Sequence, residues 1–122
     1  MKKSSVFVLD DAEAITMLTR SALTMYNYEV TECNDPLAAL EIVKSTTFDV
    51  ILVDIMMPEM DGITFLKTIK EFPLDPHTKF AVLSSKKLTP GEEKEIFSLG
   101  AVLLKKPFIP RVLVEKITEL LQ

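Results

Sequence analysis

Val50-Ile51-Leu52-Val53-Asp54 decides how this 122-residue chain is read. Four consecutive apolar residues leave no polar side to face water. An extended segment of this composition must be covered on both faces, as in a strand of a parallel sheet. The run stops on an acid, so the strand delivers a carboxylate to its C-terminal end.

The same pattern recurs on either side. Val6-Phe7-Val8-Leu9 ends in Asp10-Asp11, Phe80-Ala81-Val82-Leu83 ends in Ser84-Ser85, and Val102-Leu103-Leu104 ends in Lys105-Lys106. Tyr28 to Cys33 is a more polar strand and belongs nearer a sheet edge. Between these runs lie segments of helical length. Ala12 to Met25 carries Ile15, Leu18, Ala22 and Met25 near helical period. Leu37 to Val43 follows Asp35-Pro36, an N-cap with proline at the first helical position. Ile63, Phe65, Leu66, Ile69 and Phe72 mark a third helix, stopped by Pro73. Thr89-Pro90-Gly91-Glu92 reads as a capping box opening a fourth, which Gly100 closes. Pro110 opens a last helix through Val112, Leu113, Ile117, Leu120 and Leu121. Five β-α units with right-handed crossovers predict an α/β fold, a doubly wound five-stranded parallel sheet with helices on both faces.

The chain length fits one domain, residues 1–122, and the sequence ends directly after the last helical pattern, as either a stand-alone domain or one cut from a larger protein would. A hydrophobic content of 48% supports a real core, and 26% charged residues keep it soluble. The net charge of −4 argues against a nucleic-acid surface. One cysteine, Cys33, and one histidine, His77, can build neither a disulfide framework nor a zinc cluster. The four apolar residues after Ser5 are too few for a signal peptide, and no run approaches the ~20 residues of a membrane helix. A cytoplasmic protein is expected.

In an open parallel sheet, ligands bind beyond the carboxyl ends of the strands. Asp10, Asp11, Asp54, Ser84 and Lys106 all fall there, each just after an apolar run. Any one of the acids alone would be a helix cap or a solvated loop residue. Three together repel: at an effective dielectric near 20, two charges 4 Å apart cost ~4 kcal/mol. A hard divalent cation relieves that repulsion, and oxygen-only ligands favour Mg²⁺. Lys106 can pair with an acid or hold a phosphoryl oxygen as a point charge. Ser84 can donate a hydrogen bond to such an oxygen. The set suits a carboxylate nucleophile that forms an aspartyl-phosphate.

Val8-Leu9-Asp10-Asp11, Val53-Asp54-Ile55-Met56-Met57-Pro58-Glu59-Met60-Asp61-Gly62, Leu83-Ser84-Ser85 and Lys106-Pro107-Phe108, in this order, resemble the receiver domain of two-component response regulators. The resemblance covers essentially the whole chain. It implies a flavodoxin-like (βα)5 fold of the chemotaxis-regulator kind, with Asp54 as phosphoacceptor. It also implies Mg²⁺ held by Asp11, Asp54 and the backbone carbonyl of Met56, with Asp10 acting mainly through water. Ser84 and Lys106 are implied to contact the phosphoryl group, and Pro58 and Gly62 to shape the turn after the acceptor. The implied phosphodonor is a histidine kinase or phosphotransfer protein. A downstream protein, or weakly a second copy, would meet the face of the fourth helix, fifth strand and fifth helix. Such a domain is a signalling module, not an enzyme with a separate substrate, although it catalyses its own phosphorylation and slow dephosphorylation. One departure stands out: the family usually carries an aromatic residue three positions before the motif lysine, and here that position is Leu103.

Two other classes fit the sequence less well. An aspartyl-phosphate phosphatase usually has an acid two residues after its nucleophile, where this chain has Met56. A receiver fold retained as a phosphorylation-independent interaction module fits Leu103 but not the complete acid-lysine set. His77 reads as a surface residue, the methionines as core or loop filler, and Glu92 to Glu95 as a solvated helix start.

Overall fold

The computed structural model describes residues 3–106 and 109–122. The chain alternates strand and helix throughout: β1 (Ser5–Leu9), α1 (Glu13–Met25), β2 (Glu29–Cys33), α2 (Pro36–Ser45), β3 (Val50–Asp54), α3 (Gly62–Ile69), β4 (Lys79–Ser84), α4 (Pro90–Ser98), β5 (Ala101–Lys105) and α5 (Pro110–Leu121). The strands form one parallel sheet in the order β2-β1-β3-β4-β5. The doubly wound (βα)5 architecture expected from the sequence is therefore present.

The apolar runs work as anticipated because side chains alternate across a strand. Phe7, Leu9, Ile51, Val53, Phe80 and Val82 point to one face and pack with residues of α2, α3 and α4, among them Val43, Phe65, Leu66 and Ile96. Val6, Val8, Val50, Leu52, Ala81 and Leu83 point to the other and pack with Ala22 and Leu23 of α1 and Leu113, Val114 and Ile117 of α5. Each four-residue run supplies both layers, so none of its residues can be polar. β2 is half exposed along its length, as an edge strand of that composition should be.

Three local features differ from the sequence expectation. α3 ends at Ile69, and Lys70 to Phe72 continue as a turn, so the helix stops before Pro73 is reached. α1 presents another face to the sheet. It buries Thr16, Thr19, Ala22 and Leu23, while Leu18 is 46% and Met25 83% exposed. Apolar residues occur all round this helix, so periodicity alone does not choose between faces. On the buried face the Thr16 hydroxyl is satisfied, donating to the Glu13 carbonyl at 3.0 Å and accepting from Asn34 Nδ2 at 3.0 Å, whereas the Thr19 hydroxyl has no partner among the described residues. Finally, Met17 and Met25 of α1 are exposed and so are neither core nor loop filler, whereas Met57 is buried and Met56 lies in the loop after β3 as expected.

α4 is the least embedded helix. Ile96 is its one fully buried residue, and Phe97 points outward. The capping box read from Thr89 and Glu92 is present, with Glu92 N–H donating to Thr89 Oγ1 at 3.1 Å and Thr89 N–H to Glu92 Oε1 at 3.0 Å.

Candidate functional site

β1 and β3 are neighbours, yet β1 leads to an outer strand on one side and β3 toward β4 on the other. That reversal of strand order opens a crevice at the C-terminal edge, where such sheets bind ligands. The ends of β1 and β3 place Asp10 and Asp54 at the crevice. A carboxylate oxygen each from Asp10, Asp11 and Asp54 all lie within 4.8 Å of one another. Asp10 and Asp54 are buried and Asp11 is exposed.

Lys106 enters from the end of β5. Its backbone N–H donates to the Ser84 carbonyl at 2.8 Å, extending the β4–β5 pairing by one residue. Its Nζ donates to Asp10 Oδ2 at 2.7 Å and to Asp54 Oδ1 at 3.1 Å. Burial works against the ammonium, but its hydrogen bonds to Asp10 and Asp54 and their charges outweigh that, so its pKa rises above the ordinary lysine value. Burial, and then the Asp10 charge, push the Asp54 carboxyl above the usual carboxylate range, while Lys106 and a backbone hydrogen bond at Met56 offset this only in part. One cation thus neutralises part of a cluster of three acids.

The two oxygens of Asp10 are both engaged, Oδ1 by the Ala12 N–H at 2.9 Å and Oδ2 by Lys106. Asp11 makes no side-chain hydrogen bond among the described residues. The donor set facing the crevice is oxygen only, which suits a hard cation such as Mg²⁺. Asp54 is additionally fixed from behind. A Cβ added to Gly62 would lie 2.5 Å from the Asp54 carbonyl oxygen and 2.9 Å from Ile55 Cα, so the start of α3 packs directly on the Asp54 backbone. The Gly62 N–H donates to the Ile55 carbonyl at 2.9 Å, closing that turn.

Ser84 is buried at the end of β4, but its hydroxyl is turned to its own loop. It donates to the Lys86 carbonyl at 3.0 Å and accepts from the Lys86 N–H at 3.2 Å. Met56 follows β3 with its side chain exposed. Pro107 and Phe108 lie outside the described residues. The fold therefore gathers Asp10, Asp11, Asp54 and Lys106 into one cluster and leaves the Ser84 hydroxyl engaged beside it. Asn34 escaped the sequence reading. Its Nδ2 donates to the Asp10 carbonyl at 2.8 Å, bracing the β1 end against β2. Nothing in the sequence marks it, because the contact joins segments from two strands.

Residues 6–118 match the family model described as the response regulator receiver domain, and the chain belongs to that family. The transcriptional regulatory protein SrrA of Staphylococcus aureus is 31% identical over 123 residues, covering 98% of this chain and 48% of SrrA. The response regulator PleD of Caulobacter vibrioides is 35% identical over 80 residues, 66% of this chain and 18% of PleD. The chain thus spans less than half the length of these relatives. Among solved structures, the chemotaxis protein CheY4 of Vibrio cholerae superposes with a TM-score of 0.90 at 28% identity, covering 98% of this chain and 99% of that one. A CheY-like receiver domain protein of Methanospirillum hungatei gives 0.88 at 29%, covering 98% and 94%. The chain is a CheY-like receiver domain of two-component signalling. Among the described residues, no helix is long and apolar enough to cross a membrane.

Proposed function

We propose that this receiver accepts a phosphoryl group on Asp54, in a Mg²⁺-dependent reaction, from the phosphohistidine of a histidine kinase or phosphotransfer protein. On this reading residues 1–122 act as one unit that passes the change to a protein partner. The observation that carries the proposal is the placement of Lys106 Nζ 3.1 Å from Asp54 Oδ1, with Asp10 and Asp11 completing an oxygen-rich cluster.

An Asp54 carboxylate oxygen forms the new bond to phosphorus as the donor's P–N bond breaks, and the electron pair leaves with the imidazole nitrogen. Such a transfer asks the protein mainly for positioning and charge neutralisation. Lys106 supplies a fixed positive charge beside the acceptor oxygen. Asp11, Asp54 and the Met56 carbonyl are the groups to hold Mg²⁺, with Asp10 acting through water. The full engagement of both Asp10 oxygens supports that division. The ion, when bound, adds charge neutralisation for the acids and the incoming phosphoryl oxygens. Ser84 then turns from Lys86 to donate to a phosphoryl oxygen.

The face of α4, β5 and α5 is the output surface on this reading. A groove lined by Leu103, Leu104, Val112, Leu113 and Lys116 lies between β5 and α5, and Phe97 of α4 is exposed. A partner protein or, weakly, a second copy would cover these residues.

The test is intact mass after incubation with acetyl phosphate and Mg²⁺. One added phosphoryl group in the native protein, absent with EDTA and in Asp54→Asn, is expected. No gain under any condition would overturn the proposal and leave a phosphorylation-independent interaction module.

A further inference from the structure

Glu92 opens α4 and spans the loop between β4 and that helix with a single carboxylate. Oε1 accepts from the Thr89 N–H at 3.0 Å, and Oε2 accepts from Lys86 Nζ at 2.9 Å. Lys86 is in turn the residue whose carbonyl and N–H hold the Ser84 hydroxyl. Between these anchors Leu88 is buried against the core, which fixes the middle of the loop. Lys86 and Glu92 also form part of the wall of a cavity of about 400 Å³, together with Met56, Pro58 and Asp61. Side-chain exposures of 41% for Lys86 and 28% for Glu92 leave the pair partly shielded by this wall.

The geometry points to Glu92 as a positioning residue for Ser84: the Glu92–Lys86 ion pair is a latch that holds the β4–α4 loop in the arrangement where the Ser84 hydroxyl faces its own loop. This rests on the phosphoacceptor reading above. For Ser84 to donate to a group on Asp54, its one hydroxyl hydrogen must leave the Lys86 carbonyl and the hydroxyl must swing away from its own loop. The Ser84–Lys86 turn must then open, and the ion pair resists that opening from the far end of the loop. The rest of α4 offers little competing restraint, because Ile96 is its one fully buried side chain. A second ion pair of this helix, Lys67–Glu95 to α3 at 2.9 Å, sits away from the loop in sequence.

The carboxylate's two roles are separable. Glu92→Gln keeps an amide oxygen for the Thr89 N–H, as capping boxes accept Glu or Gln alike, and removes the charge that holds Lys86. Lys86→Met removes the other half and leaves the cap untouched. The experiment measures the affinity of the full chain for beryllofluoride with saturating Mg²⁺, and amide exchange of Lys86 in the metal-free protein. Each single variant should bind beryllofluoride about threefold more tightly, the scale of one partly exposed ion pair. The double variant should gain no more than either single one, since both break the same contact. The gain should shrink at 1 M salt, where the native pair is itself screened. Lys86 amide exchange should speed up in both variants while the thermal midpoint of Glu92→Gln stays close to native.

Unchanged affinity and unchanged exchange in both single variants would overturn the latch, as would additive effects in the double variant. If the native protein binds no beryllofluoride at all, the phosphoacceptor reading falls instead. The exchange measurement then decides the latch independently.

Discussion

Lys106 Nζ lies 3.1 Å from Asp54 Oδ1, tying the end of β5 to the end of β3 across 52 positions of sequence. β4 lies between these two strands, so the lysine reaches over its end to meet the acid. The same ammonium holds Asp10 at 2.7 Å. With three acids and one cation in the cluster, the site carries excess negative charge. That imbalance has consequences for stability as well as for chemistry.

Asp54→Asn should stabilise the metal-free protein. Burial and the Asp10 charge raise the Asp54 pKa, so the folded state takes up a proton more readily than the unfolded chain. The carboxylate therefore lowers stability at neutral pH. That penalty fades as pH falls through the raised folded value toward the ordinary carboxylate range. We expect the thermal midpoint of Asp54→Asn to lie above that of the native protein at neutral pH. The gain should disappear in acid. Thermal melts of both proteins across pH, with EDTA present, check the sign and the window.

Lys106→Met should do the reverse. It leaves buried Asp10 and Asp54 facing each other without a counter-charge, a change that costs about 3 kcal/mol for a buried pair. Mg²⁺ should restore more stability in this variant than in the native protein, because the ion then supplies the positive charge that Lys106 gives Asp10 and Asp54 in the native protein. Urea denaturation with and without Mg²⁺ measures both effects. An equal Mg²⁺ increment in the two proteins would count against the placement of the metal.

Gly62→Ala tests the backing of the acceptor. The new methyl would lie 2.5 Å from the Asp54 carbonyl oxygen, and its neighbours are backbone atoms that cannot rotate away. The start of α3 and the end of β3 must separate, at a cost of about 1–3 kcal/mol. Phosphorylation by acetyl phosphate should slow as well, since Asp54 moves with its backbone. A variant as stable and as fast as the native protein would show that the contact relaxes freely.

Leu103 stands on β5 opposite Val82, half-buried against the α4-side core. It has no polar tip to lock itself inside or outside, unlike the aromatic residue usual in the family. The active arrangement should therefore be populated at roughly a tenth before phosphorylation, giving a switch of about tenfold, ~1.4 kcal/mol. Amide shifts of the β4–α4 loop in the free protein should lie part of the way toward those of the beryllofluoride form. Leu103→Tyr should move them back toward the inactive end. Free-protein shifts that do not respond to this substitution would refute the soft switch.

Much of this protein is written locally. The apolar runs at Val6, Val50 and Phe80 are short, uniform and bounded by polar residues, which suits strands covered on both faces, and the polar residue after each run marks the ligand edge. The caps at Asp35 and Thr89 are equally local, because a cap needs only a side chain and the next turn of backbone. Asp10, Asp11, Asp54 and Lys106 were legible for the same reason: strand ends in a parallel sheet share one edge. Tertiary structure decided what depends on meeting a partner. α1 buries Thr16 and Thr19 rather than Leu18 and Met25, and Asn34 Nδ2 from the loop after β2 donates to the Thr16 hydroxyl. Ser84 faces Lys86 rather than Asp54, and Glu92, an ordinary acid at a helix start by sequence, closes the loop that holds it. The Asn34–Thr16 and Lys86–Glu92 contacts join side chains whose positions exist only once the sheet and helices have packed, and the Ser84 hydroxyl bonds to the backbone of the loop they hold. Periodicity along one segment carries no information about them.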